Sequence, residues 1–282
     1  MEVFTTISAI RSWLECHRKD ADSIGFVPTM GALHEGHLEL VRRSVKENDV
    51  TVVSIFVNPI QFNNKEDLAK YPRTLDTDLE MLRAAGCHAV FAPSAEEMYP
   101  EEVKEQYIFG PLETVMEGAF RPGHFHGVAV VVRRLFDIVE PARAYFGEKD
   151  YQQLRIIQAL VKQLGLGVEI IPCPIVREAD GLAMSSRNQR LSLPERAVAP
   201  VIHDTLSKVR EMSREKTVEY LVNYATDRLN GVPGMSVEYF SIARTSDLQP
   251  LQHWPEPPEP CAAFVAVNLG RIRLIDNMML YS

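Results

Sequence analysis

The chain has 282 residues, 46% hydrophobic and 24% charged, with 15 Gly and 18 Pro, a composition that excludes a fibrous or largely disordered protein. At roughly 150 residues per domain the length suits nearly two domains or one large one, enough to bury a core without staples. Lys+Arg 30 against Asp+Glu 38 leaves a formal net charge of -8, which argues against general nucleic-acid binding but leaves a phosphate-bearing small molecule open, since a pocket needs only local cations and donors.

The N-terminal stretch MEVFTTISAIRSWLECHRKD carries Glu2 and has no basic region followed by an apolar run, so it does not read as a signal peptide. Next come short β-branched runs: IGFV at Ile24, VTVVSIFV from Val50, HAVFAP from His88, AYFG from Ala144 and VEIIPCPIV from Val168. Helical patterns alternate with them. After Gly36, Leu38, Val41 and Val45 share one face; Leu75, Leu79 and Leu82 repeat and stop at Gly86; Asp150 to Leu164 shows Leu154, Ile157, Val161 and Leu164 ahead of Gly165. Strand and helix in alternation predict an α/β fold, a doubly wound parallel sheet covered on both faces, over residues 1–187.

Beyond Arg187 the rhythm changes. Two helical stretches, Leu193–Ser213 and Lys216–Leu229, precede the strand-like runs SVEYFSIA, AAFVAVNL and RIRLI, whose short connections suit antiparallel pairing. Between the first two runs, HWPEPPEP reads as an extended surface loop. Residues 188–282 are therefore expected to form a smaller C-terminal α+β domain. Cys16, Cys87, Cys173 and Cys261 lack any CxxC spacing and read as reduced, mostly buried thiols. No segment approaches the roughly 20 apolar residues that span a bilayer, so a cytoplasmic protein without membrane partners is expected.

The most informative stretch is VPTMGALHEGHLEL, Val27–Leu40, which runs from a strand through a glycine turn into a helix. Ligands of α/β folds bind at such strand ends, where a helix N-terminus offers free N–H groups. Gly31 and Gly36 have P-loop spacing, but His37 stands in place of Lys and Leu38 in place of Ser or Thr, so this is not a Walker motif. His34 and His37 remain open to three readings: donors to a bound phosphate, metal ligands one residue short of HExxH spacing, or surface histidines.

Two later segments bear on the choice. In YFGEKDYQQL, Lys149 stands at a helix start, where the macrodipole disfavours a cation unless an anion is bound; pairing with Glu148 or Asp150 is the rival explanation. In DGLAMSSRNQRLS, Ser185 and Ser186 precede Arg187, hydroxyls and a guanidinium that could clamp a phosphate at the expected domain junction, or form an ordinary polar linker. EGAFRPGHFHG, from Glu117, reads as a loop able to close over a site, with a static surface loop as the alternative.

PTMGALHEGH, SIFVNPIQF, YPRT, RPGHFHGV, FGEKDYQQL and DGLAMSSRN, in this order and spacing, closely resemble the pantoate–β-alanine ligases, members of the HxGH-type nucleotidyltransferases with a Rossmann-like fold. Ile60 stands where that family often has Met, and His126 sits at a position that looks variable. The resemblance implies that pantoate attacks the α-phosphate of ATP to give pantoyl adenylate and pyrophosphate, after which β-alanine displaces AMP. It implies ATP contacts at Met30, Gly31, His34, Gly36 and His37, at Gly147, Glu148, Lys149 and Asp150, at Val176, and at Met184, Ser185, Ser186 and Arg187, with His34, His37, Lys149, Ser185, Ser186 and Arg187 carrying catalysis. Gln61 and Gln153 are expected to hold pantoate, Asn58 and Gln61 to lie near β-alanine, and Arg121 to reach a substrate carboxylate or phosphate. By the residues alone, Gln153 is a solvated helix residue. Mg2+ is expected with ATP, with Asp78 as its candidate ligand, although an acid near a helix start is also ordinary helix chemistry. A homodimer is implied by the family alone.

Overall fold

The computed structural model describes residues 1–19, 23–62 and 65–281. The chain divides into two compact units. The first comprises Met1–Phe109, Arg121–Glu148 and Gln153–Pro174, and the second Gly110–Phe120, Lys149–Gln152 and Ile175–Ser282. This division falls at Pro174, where Arg187 was expected; Arg177, just beyond it, hydrogen-bonds to Asp276 and Asn277 of the C-terminal strand.

Among the described residues, the first unit is built on six parallel strands: β1 (Glu2–Phe4), β2 (Ile24–Thr29), β3 (Val50–Ile55), β4 (Ala89–Phe91), β5 (Arg143–Gly147) and β6 (Glu169–Cys173). Their spatial order is β1-β4-β3-β2-β5-β6. The chain winds outward from β2 through β3 to β4, then returns to the other side of β2 to lay down β5 and β6. The order therefore reverses between β2 and β5, the switch point where open α/β sheets bind ligands beyond their strand ends. β2 runs out into Met30 and the HEGH segment, and β5 ends at Gly147.

Helix Glu35–Glu47 lies tight against β2 because Gly25 has no side chain; a Cβ there would stand 2.3 Å from Ser44 Oγ and 2.5 Å from Asn48 Nδ2. Val27, Leu38, Val41, Val53, Leu82 and Val90 form part of the core on that face. Helix His124–Val139 is buried over most of its length. It corrects the loop expected at EGAFRPGHFHG, which instead contributes helix Met116–Phe120 and the start of His124–Val139. The run GVAVVV had hidden this helix, since a buried helix and a buried strand share an apolar composition. Helix Ile7–Lys19 and β1 were likewise not anticipated; β1 has three residues, too few for a period.

In the second unit β7 (Met235–Arg244), β8 (Cys261–Leu269) and β9 (Ile272–Tyr281) form an antiparallel sheet in that order. Helices Val201–Met212 and Val218–Asn230 cover one face through Ile202, Leu206, Leu221 and Leu229, while Met116, Leu112, Val115 and Tyr151 pack with Ala243, Ala262 and Phe264. The single helix expected over Leu193–Ser213 is two, Leu193–Val198 and Val201–Met212, separated at Pro200. HWPEPPEP lies outside regular structure, and the strand seen in RIRLI continues to Tyr281. All four cysteines are free thiols, Cys16 exposed and the others buried. Among the described residues no helix is long and apolar enough to cross a membrane.

Candidate active site

In the first unit the turn after β2 is held open by backbone geometry. Gly31 has φ +80° and Ala32 φ 51°, a left-handed pair that is unusual for alanine and needs fixing from outside. Asp78 supplies the fixing. Buried at 1% exposure, its Oδ2 accepts from Ala32 N at 3.0 Å and its Oδ1 from Leu33 N at 2.8 Å and Thr74 Oγ1 at 3.2 Å. On the other side Gly31 N donates to Thr29 Oγ1 at 3.2 Å, and that hydroxyl donates to Ser54 O at 2.7 Å.

The turn delivers His34 as N-cap of helix Glu35–Glu47. His34 Nδ1 accepts from Gly36 N at 3.1 Å, and His37 Nδ1 accepts from His34 N at 3.3 Å. A ring nitrogen that accepts from a backbone N–H carries no proton, so both imidazoles in this arrangement hold their proton on Nε2. Their ring centroids are 4.0 Å apart. The result is two adjacent N–H donors over a helix N-terminus, a pattern matched to an oxyanion.

Beside this turn, Gln61 closes a polar cluster. Its Nε2 meets Met30 Sδ at 2.9 Å, and its Oε1 accepts from Asn58 Nδ2 at 3.2 Å. Asn58 Nδ2 also donates to Gly127 O at 3.0 Å, and Asn58 Oδ1 accepts from Tyr99 Oη at 2.9 Å. Gly127 permits the approach, because a Cβ there would stand 2.7 Å from Gln61 Cα. The Gln61 carbonyl faces His124 Nδ1 at 3.0 Å. A carbonyl can only accept, so the His124 proton is on Nδ1 and Nε2 is left to accept from Arg121 Nη1 at 3.2 Å.

In the second unit, Val176 and Met184 are linked by Met184 N donating to Val176 O at 3.0 Å, and Arg177 and Ala183 bridge antiparallel across a turn at Gly181. Ser185 then caps the 3₁₀ turn Ser186–Arg190, accepting from Arg187 N at 3.2 Å. Asn188 ties this turn back through Nδ2 to Glu178 Oε1 at 2.8 Å and Ala183 O at 3.1 Å. The anchor is β9. Arg177 forms a two-pronged ion pair with Asp276, at 2.7 and 3.0 Å, and its Nη1 also donates to Gly181 O at 3.0 Å. Next along the strand, Asn277 Nδ2 donates to Lys149 O at 3.0 Å. Asp276 therefore holds Arg177, whose bridge to Ala183 leads into the MSSR segment, and Asn277 holds the backbone at Lys149.

A family model described as pantoate-beta-alanine ligase matches residues 2–279. The chain belongs to the pantoate–β-alanine ligase family. The pantothenate synthetase of Bacteroides fragilis strain YCH46 is 51% identical over 278 residues, which cover 99% of this chain and 98% of the relative. That of Phocaeicola vulgatus is 52% identical over 279 residues, 99% of each. Among solved structures, the pantothenate synthetase of Thermus thermophilus matches all of both chains with a TM-score of 0.93 at 44% identity. A pantoate–β-alanine ligase from Francisella tularensis, complexed with beta-gamma ATP and β-alanine, matches with a TM-score of 0.82 at 35% identity, covering 100% of this chain and 98% of that one.

In this member of the pantoate–β-alanine ligases, Met30, Gly31, His34, Gly36, His37, Asn58 and Gln61 are joined around one turn of the first unit, and Gly147 and Glu148 belong to the same unit. Lys149, Asp150, Val176, Met184, Ser185, Ser186 and Arg187 belong to the second. Gln153 is half-buried in the first turns of helix Tyr151–Leu164. Arg121 contacts His124, and through it the Gln61 carbonyl. Asp78, the expected Mg2+ ligand, accepts three hydrogen bonds on its two oxygens and fixes the Ala32–Leu33 turn. Among the described residues no group of three or more His, Cys, Asp or Glu side chains is placed to hold a metal ion. Sequence reasoning missed Tyr99, Arg177, Asp276 and Asn277; each acts through contacts 41 to 128 residues away along the chain, which no local motif records.

Proposed function

We propose that the protein condenses pantoate with β-alanine to pantothenate in two steps. The pantoate carboxylate attacks the α-phosphorus of ATP, forming pantoyl adenylate as the bond to pyrophosphate breaks. The β-alanine amine then attacks the acyl carbon, AMP leaves, and the amine proton is lost. The observation that carries this reading is the pair of Nε2–H donors at His34 and His37, set over a helix N-terminus in a chain that matches the ligase family across nearly its whole length.

A carboxylate is already ionised near neutral pH, so the first step needs alignment and charge neutralisation rather than a base. His34 and His37 supply neutral donors to phosphate oxygens. The Lys149 ammonium, the Arg187 guanidinium and the hydroxyls of Ser185 and Ser186 supply charge and further hydrogen bonds. Gly31, Gly36, Gly147, Glu148 and Asp150 are assigned to the nucleotide through their turns, and Met30, Val176 and Met184 to its flanks. Gln61 and Gln153 bind pantoate, since an amide can donate to a carboxylate and accept from a hydroxyl without adding a charge that would blunt the nucleophile. Asn58 lies on the β-alanine side, and Arg121 is assigned to a substrate carboxylate or phosphate.

This reading takes the enzyme as a cytoplasmic homodimer that uses Mg2+ with ATP. The ion would screen phosphate charge, with Asp78 as its candidate ligand. Incubation with pantoate, β-alanine and ATP should yield pantothenate and AMP in equal amounts. Formation of ADP and inorganic phosphate instead would overturn the proposal.

A further inference from the structure

The Asn58 amide has its orientation fixed from both ends. Its Nδ2 faces two oxygens that can only accept, Gly127 O at 3.0 Å and Gln61 Oε1 at 3.2 Å. Its Oδ1 faces Ile60 N at 3.4 Å, a long contact, and Tyr99 Oη at 2.9 Å. Since Oδ1 can only accept, the Tyr99 hydroxyl must donate, and it makes the shorter of the two bonds that hold this end. Asn58 is 1% exposed, so a lost partner would not be replaced readily by water.

The consequence passes to Gln61. With Oε1 tied to Asn58, Gln61 turns its NH2 toward Met30 Sδ. A thioether is a weak acceptor, so a carboxylate oxygen placed there would be a better partner for that N–H. Were Asn58 to rotate, its oxygen would face Gln61 Oε1, and Gln61 would have to present an acceptor instead. That would repel a carboxylate.

Tyr99 suits the task of holding this arrangement. Its ring lies 6.0 Å from that of Phe56 and 6.0 Å below Arg134 Cζ, and the cation over the ring face strengthens the hydroxyl as a donor. Burial also pushes the phenol well above its usual range, so it keeps the proton it donates. We propose that Tyr99 is a positioning residue for the carboxylate-binding subsite: through Asn58 it sets the Gln61 amide with its oxygen tied back and its NH2 offered to pantoate. This rests on the assignment of Gln61 to pantoate made above.

Tyr99→Phe removes the hydroxyl and keeps the ring. The expected result is a rise of about tenfold in KM for pantoate, with KM for ATP within twofold and the thermal midpoint little changed. Combined with Gln61→Ala, which alone should raise KM for pantoate further, the Tyr99 change should add nothing. An unchanged KM for pantoate in Tyr99→Phe, or the same added effect with and without Gln61, would overturn the proposal while leaving Gln61 as a pantoate ligand. If Gln61→Ala itself left KM for pantoate unchanged, the assignment of Gln61 would fall, and this inference with it. Tyr99→Leu, which also lacks the hydroxyl, gives the same comparison if the phenylalanine variant folds poorly.

Discussion

The HEGH segment and the MSSR segment are held in different ways. The first is largely self-supporting: His34 and His37 accept from backbone N–H groups two or three residues away, and the turn before them is closed by Asp78, 45 and 46 residues on. The second depends on a strand laid down much later. Arg177 reaches Asp276, 99 residues away, and Asn277 reaches the Lys149 carbonyl, 128 residues away. One segment is set largely by local helix-capping chemistry, and the turn leading into the other is tied to the C-terminal strand.

The largest effects should come from the groups assigned to the phosphates. Lys149→Ala and His37→Ala should each cut turnover about 100-fold or more, the range seen when one preorganised donor to a developing charge is removed. Both should keep a near-normal thermal midpoint, and near-normal turnover in either variant would show that its half of the comparison has been assigned wrongly. Asp276→Ala should be the most costly change to stability. It leaves Arg177, whose side chain is 21% exposed, without its carboxylate, and about 3 kcal/mol is expected in denaturant unfolding. Turnover should fall as well, since the MSSR segment loses its anchor. Asp78→Asn should be milder. One oxygen still accepts, but an NH2 now confronts a backbone N–H, for about 1–3 kcal/mol and a loss of kcat from a loosened His34.

The smallest effect concerns the first unit alone. Burial lowers the pKa of His88 below its ordinary 6.5, and its Nδ1 accepts from Thr51 N at 2.9 Å, a bond that requires the unprotonated nitrogen. Protonation therefore favours the unfolded chain. The contribution is complete above pH 6.5 and is lost as the pH falls below it. Equilibrium unfolding of His88→Gln, compared with the parent at pH 7.5 and 5.5, should show a weaker pH dependence in the variant.

The same contrast explains what could be read from the amino-acid order. Alternating β-branched and helical runs disclosed the parallel sheet, and the tight link between β8 and β9 agreed with antiparallel pairing, whereas β7 reaches β8 only through the long loop that contains HWPEPPEP. HEGH, GEKD and MSSR stood out as candidates because they fall at strand ends and helix starts, and the resemblance to the ligase family, not the residues alone, singled them out. Helix His124–Val139 was not, since GVAVVV carries no period that separates a buried helix from a buried strand. Asp276 and Asn277 sit adjacent in a strand where alternation would put one of them in solvent, yet both are buried, at 4% and 5% exposure. Only the pairing of β9 discloses their role. Asp78, an acid in a first helical turn, also closes the turn preceding His34, a contact across 45 and 46 residues that no local pattern discloses.

The central claim is that an acyl adenylate forms before β-alanine takes part. Exchange of labelled pyrophosphate into ATP tests it most directly. The account predicts exchange that requires pantoate and proceeds without β-alanine, and that falls about 100-fold or more in Lys149→Ala. Exchange that ignores pantoate, or that appears only when β-alanine is added, would contradict it.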